Sequence, residues 1–127
     1  MARRLHEVTE GFRQAFSSIA SEHGLSPPQA RLLLRLVEPT AMRDLADHLA
    51  CDASNVTGIA ARLIERRLVM TTPGLDRRVK LLALTATGRQ LRSSLEVHIA
   101  DSLPAMTRLT KTERQILLGL LDKFVPP

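Results

Sequence analysis

The stretch from residue 42 to residue 85 restricts the fold of this chain more than any other. Two segments with helical spacing of apolar residues, 42–50 and 53–66, come first. Two short apolar segments, 68–72 and 79–84, then flank a basic turn that contains Pro and Gly. Short apolar runs around such a turn are typical of a β-hairpin. Two helices followed by a hairpin predict a winged helix-turn-helix, in which the hairpin is the wing.

Length and composition predict a single domain. The chain has 127 residues, of which 44% are apolar, and this is enough for one hydrophobic core but too little for two ordinary domains. The single Cys51 excludes an internal disulfide. No apolar run approaches the roughly 18 residues that a membrane-spanning helix needs, and charged residues interrupt the N-terminus too early for a signal peptide. We therefore expect a cytoplasmic protein with no membrane partner.

Positive charge is concentrated in the segment that contains the predicted hairpin. The whole chain carries a net charge of +5. Residues 53–80 hold six Lys and Arg and two carboxylates, whereas residues 38–52 hold one Arg and four carboxylates. This distribution favours an acidic partner, although charged residues also simply solvate a protein surface.

The remaining helices are predicted from apolar spacing and from their start signals. Residues 5–21 carry one apolar stripe, and Ser26 with Gln29 forms a capping box for a second helix that should run to about Val37. Thr40 is the best candidate for the cap of helix three, and Asp52 is placed to cap helix four.

Helix four has two different faces. Val56, Ile59, Ala60 and Leu63 can pack on helix three. The opposite face is small, polar and basic, which permits close approach to a partner. Its residues are Ser54, Asn55, Gly58, Ala61, Arg62 and Glu65.

The C-terminal part should form two more helices. Thr85 opens the fifth, which Pro104 should end or kink, and Thr110 with Glu113 forms a capping box for the sixth. The apolar residues of the terminal helices and of helix five exceed what a minimal winged helix can cover, so we expect a symmetric dimer. The dimerisation candidates are Leu5, Val8, Phe12, Leu117, Leu120, Leu121 and Phe124. The expected organisation is one domain, 1–127, with a DNA-binding core at 25–86 and dimerisation helices at 1–22 and 87–125.

A series of short motifs, in unbroken order, resembles the MarR family of bacterial transcription regulators over about residues 25–92. The Asp-x-Arg turn and the Leu-Thr-x-x-Gly that follows it are the most specific. The resemblance implies a homodimer joined by its N- and C-terminal helices, with helix four in a DNA major groove and the wing in the adjacent minor groove. The motifs are Leu25-Ser26-Pro27-Pro28-Gln29, Asp44-Leu45-Ala46, Asp52 with Val56-Thr57, Leu68-Val69, Asp76-Arg77-Arg78 and Leu84-Thr85-Ala86-Thr87-Gly88-Arg89.

The resemblance also implies roles for individual residues. Arg78 matches the wing arginine that enters the minor groove, where negative potential is concentrated, and Asp76 matches the acid that braces the wing. The start of the recognition helix, with its short hydrogen-bonding side chains, is expected to reach phosphates or base edges. The complete set of DNA-binding candidates is Arg43, Ser54, Asn55, Thr57, Gly58, Arg62, Arg77 and Arg78.

Two residues depart from the family pattern. Gly58 stands where a long, frequently basic residue is common, which predicts modest DNA affinity, and Gly inside a helix costs about 1 kcal/mol. Arg67 stands where a helix-ending Gly is usual, and a non-Gly residue in left-handed geometry costs roughly 1–2 kcal/mol. The second departure predicts that helix four ends differently here.

Other chemistry has less support. His48 and Cys51 are spaced as a metal pair, but two ligands do not make a site, and the other histidines have no ligand nearby in sequence. Cys51 is either a small buried residue or a peroxide-sensing thiol. No catalytic triad, carboxylate pair or phosphate-binding loop is present in the sequence, so we expect no enzyme, no cofactor and no metal.

We therefore expect a homodimeric regulator that binds double-stranded DNA, acts as a repressor and is released by a small-molecule effector bound between the dimer helices and the DNA-binding core. The alternatives are a winged-helix protein-interaction module, whose wing would more often be apolar, and a cysteine-based redox regulator.

Overall fold

The fold is mainly α-helical, with one small antiparallel sheet. The computed structural model describes residues 1–49, 53–103 and 107–125, and in the fourth helix it describes side chains from Asn55 onward. The elements are α1 (Ala2–Glu22), α2 (Pro27–Arg35), β1 (Thr40–Ala41), α3 (Met42–Leu49), α4 (Ala53–Glu65), β2 (Val69–Pro73), β3 (Lys80–Leu84), α5 (Ala86–Ser102) and α6 (Lys111–Leu121). This order confirms the predicted winged helix-turn-helix.

The sheet has three strands in the order β1-β3-β2. The hairpin of β2 and β3 runs from the pair Val69 and Leu84 to the pair Pro73 and Lys80. On the other edge, Thr40 of β1 pairs with Leu82 of β3. The pairing between β1 and β3 ties the chain before the helix-turn-helix to the base of the wing, so the wing is anchored on both sides.

Helix α2 ends at Arg35, close to the predicted end at about Val37. The pairing of β1 corrects one prediction from the sequence. Thr40 does not cap α3. It lies in β1, two residues before the helix begins, and its hydroxyl donates to the carbonyl oxygen of Glu38 at 2.8 Å. Asp52, the predicted cap of α4, lies outside the described residues.

The core lies where the helix-turn-helix meets α1, α2, α5 and the sheet. The inner face of α4 contributes Val56, Ala60 and Leu63, none of which is exposed, and the half-buried Ile59 packs against the same cluster. This agrees with the predicted packing face. The largest fully buried side chains are Leu32, Leu33, Leu36, Leu45, Leu63, Leu82, Leu95, Leu103, Val56 and Val69.

Helix α4 ends in left-handed geometry even though no Gly is present. Arg67 has a φ of +58°. Its N–H donates to the carbonyl oxygen of Ile64 at 2.9 Å, and the N–H of Leu68 donates to that of Leu63 at 3.0 Å. These are the two hydrogen bonds of a Schellman motif, which usually has Gly at the left-handed position. The prediction of a different helix end is therefore wrong, and the strain of Arg67 is retained within the fold.

The junction between the hairpin and α5 is built on Thr85 and Gly88. The Thr85 hydroxyl donates to the carbonyl oxygen of Arg67 at 2.7 Å and accepts from the N–H of Gly88 at 3.0 Å, so it caps α5 while binding the end of α4. The Thr85 N–H donates to the carbonyl oxygen of Leu68 at 3.1 Å. A Cβ on Gly88 would overlap that same oxygen. Only Gly lets α5 lie this close to the start of β2.

The predicted apolar stripe of α5 is covered within the chain, although Val97 of the same helix is 60% exposed, and the apolar residues of α6 are not covered. Leu95 is fully buried, and Leu91 and Ile99 pack against the core. In contrast, every residue of α6 is exposed, and this includes Leu117, Leu120 and Leu121. The exposed apolar residues of the terminal helices therefore lie on α6 and on the first half of α1, where Leu5, Val8 and Phe12 are 45%, 60% and 41% exposed.

The C-terminal end of α1 is tied to α5 through two histidines. The His23 Nε2 and His98 Nδ1 atoms are 3.1 Å apart, and the His98 Nε2 lies 3.2 Å from a carboxylate oxygen of Glu22. The sequence did not indicate this contact, because the two histidines are 75 positions apart. No helix in the described ranges is both long enough and apolar enough to cross a bilayer.

Candidate nucleic-acid interface

The outward face of α4 is the first component of the candidate interface. Thr57, Gly58 and Arg62 are exposed there, on the side away from the buried Val56 and Ala60. The inner face of α4 packs against the core, which fixes the position of the exposed residues on its outer face. The side chain of Ser54 lies outside those described.

Gly58 leaves the middle of this face open. A Cβ built at Gly58 would meet no atom within 4 Å, so the fold itself does not require Gly at this position. This differs from Gly88, where packing excludes any side chain. Gly58 therefore leaves open space on the outer surface of α4 that packing within the fold does not require.

The start of α2 borders the same surface. The capping box predicted for this helix is present: the Ser26 hydroxyl accepts from the Gln29 N–H at 3.3 Å, and the Gln29 side chain accepts from the Ser26 N–H at 3.0 Å. A cleft of about 370 Å³ separates this end of α2 from α4. It is lined by Ser26, Pro28, Gln29, Asn55, Gly58, Ile59 and Arg62.

The wing turn is the second component and is closed by three hydrogen bonds. The Gly74 N–H donates to the carbonyl oxygen of Val79 at 2.9 Å, and the Val79 N–H donates to that of Asp76 at 2.9 Å. The Asp76 carboxylate accepts from the backbone N–H of Arg78 at 3.0 Å. Asp76 therefore holds the turn through the backbone and not by pairing with a guanidinium.

The arginines of α4 and the wing differ in whether their guanidinium groups already have a partner within the chain. Within the part of the chain that the structure describes, the guanidinium groups of Arg62, Arg77 and Arg78 have no carboxylate partner, and all three residues are exposed. Arg66 instead donates to the carbonyl oxygen of Gly24 at 2.6 Å and links α4 to the loop before α2. Arg43 is exposed in the first turn of α3.

The structure adds one wing feature that the sequence prediction did not include. Leu75 has an exposed fraction of 112%, the highest among the large hydrophobic residues described. The signal in the sequence was an apolar residue inside an otherwise polar and basic turn.

The described residues provide no metal site. His48 is exposed, and its predicted metal partner Cys51 lies outside the described residues. No group of three or more His, Cys, Asp and Glu among the described residues could hold a metal ion. The exposed groups on α4 and the wing include hydrogen-bonding side chains and arginines, which suit an anionic polymer.

The sequence from residue 25 to residue 88 matches the family model described as "Winged helix DNA-binding domain", which covers the whole helix-turn-helix and the wing. The chain belongs to this winged-helix family. Comparison with curated proteins gives no significant sequence match.

Solved structures extend the winged-helix similarity to nearly the full chain. Wild-type MarR from E. coli has a TM-score of 0.80 and 24% identity, and the alignment covers 99% of this chain and 96% of that one. CouR from Rhodococcus jostii RHA1, solved bound to p-coumaroyl-CoA, has a TM-score of 0.82 and 25% identity, with 97% and 90% covered. A cysteine-to-serine mutant of E. coli MarR, complexed with operator DNA, has a TM-score of 0.76 and 24% identity, with 98% and 93% covered.

These findings confirm the predicted relationship to MarR-type winged-helix proteins. The family model describes the matched region as a DNA-binding domain.

Proposed function

We propose that this winged-helix protein is a homodimeric repressor that binds an inverted-repeat site in double-stranded DNA. The observation that carries the proposal is the wing, a hydrogen-bonded turn that holds two unpaired arginines beside a helix with a small, polar outer face. The structure of E. coli MarR with operator DNA supports the same use of this fold here.

Helix α4 is the proposed reader of the major groove. Asn55 and Thr57 lie near its start and carry short hydrogen-bonding side chains, which suit contacts with phosphates and base edges. Arg62 lies further along and is placed to neutralise phosphate. The open position at Gly58 allows the helix backbone to come close to the DNA.

The wing is the proposed reader of the minor groove. An arginine is favoured there because a narrow groove concentrates negative potential. A carboxylate in the same place would repel DNA, but the Asp76 carboxylate accepts the Arg78 N–H, so the turn gains order from it. We assign Arg78 to the groove and Arg77 to the flanking phosphates.

The exposed apolar residues of α1 and α6 are the proposed dimer interface. Phe124 is 64% exposed and continues the surface formed by Leu120 and Leu121. Covering these residues with a second copy would place two reading heads on one DNA duplex in the cytoplasm. On this view residues 25–86 bind DNA, and the segments 1–22 and 87–125 hold the dimer.

We also propose that a small-molecule effector lowers DNA occupancy, in line with the ligand-bound structure of CouR. The cleft at the junction of α1 and α5 is the proposed location. It has a volume of about 490 Å³ and is lined by His23, Ser93, Ser94, Val97, His98 and Asp101.

The substitution Ser94→Trp tests this location, because the larger side chain should fill the cleft. Compounds that displace labelled DNA from the wild type should not displace it from this variant. Equal displacement from both proteins would refute this location.

Arg78→Ala tests DNA binding by the wing. We expect its affinity for labelled duplex to fall by about 1–3 kcal/mol at fixed salt. Wild-type affinity should itself fall steeply with salt, as phosphate neutralisation requires. Arg3→Ala is the control, since Arg3 is also exposed but lies on α1 and pairs with Glu7. Wild-type binding that is insensitive to salt, or equal affinities for the wild type and Arg78→Ala, would contradict the proposal and favour a protein-interaction module.

A further inference from the structure

Leu75 stands at the tip of the wing with no side chain covering it. Its exposed fraction of 112% exceeds that of an isolated reference residue. Leu120 and Phe124 are exposed among other apolar residues on α6 and just after it. Leu75 instead protrudes from a turn, where Val79 is also exposed but only to 42%, and it is not part of an apolar helix face.

The turn holds Leu75 away from the body of the protein. The hydrogen bond from Gly74 to Val79 closes the base of the turn on one side of Leu75, and the Asp76 bonds fix the other side. Close packing pins this base, because a Cβ at Gly74 would lie 2.9 Å from the Val79 carbonyl oxygen. The backbone therefore holds the leucine outward, although contact with apolar atoms would be favourable.

The surroundings of Leu75 select the kind of surface that can receive it. Arg77 and Arg78 follow it closely and are unpaired, and the one carboxylate of the turn is engaged with the backbone. An apolar tip flanked by cations complements a groove that has anionic edges and apolar walls. The DNA minor groove has this character, and minor-groove proteins often insert leucine there as a wedge.

We propose that Leu75 enters the minor groove beside Arg78 and packs against its deoxyribose walls. This inference rests on the proposed DNA-binding function and adds a contact that is apolar and independent of salt. Arg78 supplies charge, and Leu75 supplies the apolar contact that retains the wing in the groove.

The test uses full-length protein and a duplex that the wild type has selected from random sequences. Leu75→Ser should lower affinity about tenfold, which corresponds to burial of part of one leucine. The reduction should be the same at every salt concentration, so the slope of log affinity against log salt stays at the wild-type value. Arg78→Ala should instead make that slope shallower.

Three controls isolate the contact. Leu75→Met keeps an apolar side chain and should retain nearly full affinity. Val37→Ser removes another exposed hydrophobic residue, 75% exposed and outside the wing, and should leave binding unchanged. Thermal unfolding of Leu75→Ser should match the wild type, because the leucine has no contacts to lose.

The outcomes separate this inference from the proposed function. If the wild type selects and binds a duplex while Leu75→Ser binds it equally well, the inference is overturned. A loss of affinity accompanied by a changed salt slope overturns it as well, since the contact is then electrostatic. Failure of the wild type to bind any duplex overturns the proposed function, and this inference with it.

Discussion

Two glycines show how the same residue type can serve packing in one place and the surface in another. Gly88 allows α5 to approach the Leu68 carbonyl oxygen, which no other residue would permit. Gly58 lies in a helix with open space around it, where the fold would accept a side chain. Close packing therefore requires Gly at position 88. At position 58 packing does not require it, and the open space lies on the outer surface of α4.

Alanine at each glycine should have opposite effects on stability. Gly88→Ala forces the backbone of β2 and α5 apart and should lower the free energy of unfolding by about 2 kcal/mol or more. Gly58→Ala should raise it by about 1 kcal/mol, because Ala favours the helix. Chemical denaturation of both variants measures this. Similar effects of the two substitutions would contradict the packing described at Gly88.

Arg67 marks a limit of prediction from residue type. The motif comparison identified this position as the helix end, and the cost of left-handed geometry for Arg suggested another arrangement. The structure keeps the left-handed backbone, since the carbonyl oxygens at the end of α4 must be satisfied and Thr85 binds the Arg67 carbonyl oxygen. Tertiary contacts favour the left-handed helix end over another arrangement, and such contacts cannot be predicted from the neighbouring residues in the sequence.

At the scale of elements, structure set by residues close in sequence was predicted well. Contacts between residues distant in sequence were not predicted. The capping boxes at Ser26 and Thr110 are present because each involves residues only three apart. The role of Thr40 was mispredicted because its partner Leu82 is 42 positions away. The contact between His23 and His98 was missed for the same reason. The outer face of α4 and the basic wing could be predicted, since each lies on one continuous element.

The Asp76 side chain should control the order of the wing. Asp76→Ala removes the acceptor for the Arg78 N–H, so exchange of that amide hydrogen should become faster and DNA affinity should fall. Asp76→Asn keeps an acceptor oxygen and should restore most of the protection. The overall unfolding free energy should change little, because the turn is exposed. Amide hydrogen exchange followed by NMR measures this, and unchanged protection in Asp76→Ala would refute the bracing role.

At the scale of the whole molecule, the terminal helices form an exposed apolar surface among the described residues. Helix α5 was predicted to share in that surface; its stripe of Leu91, Leu95 and Ile99 packs against the core, whereas its Val97 is 60% exposed. Most of the exposed apolar residues that are close together in sequence are on α6 and early α1. Their burial states could not be predicted from spacing, because amphipathic helices that pack within a subunit and between subunits have the same periodicity.

Charge on α6 should separate the subunits. Leu117→Asp with Leu121→Asp should give monomers or unfolded protein in sedimentation and abolish binding to a two-part DNA site, because a carboxylate cannot be buried without a partner. Gln115→Asp is the matched control. Gln115 is exposed on the side of the helix opposite Leu117, so this variant should remain dimeric. A wild-type monomer at micromolar concentration would contradict the dimer.

The most direct test of DNA reading by a twofold dimer is to select bound sequences from random duplexes with the wild-type protein. A twofold dimer places its recognition helices about 34–36 Å apart, so the selected sites should be inverted repeats with half-sites one DNA turn apart. The same selection with Arg78→Ala should lose enrichment at the minor-groove positions. No enriched sequence, or a single asymmetric element without a repeat, would contradict the account.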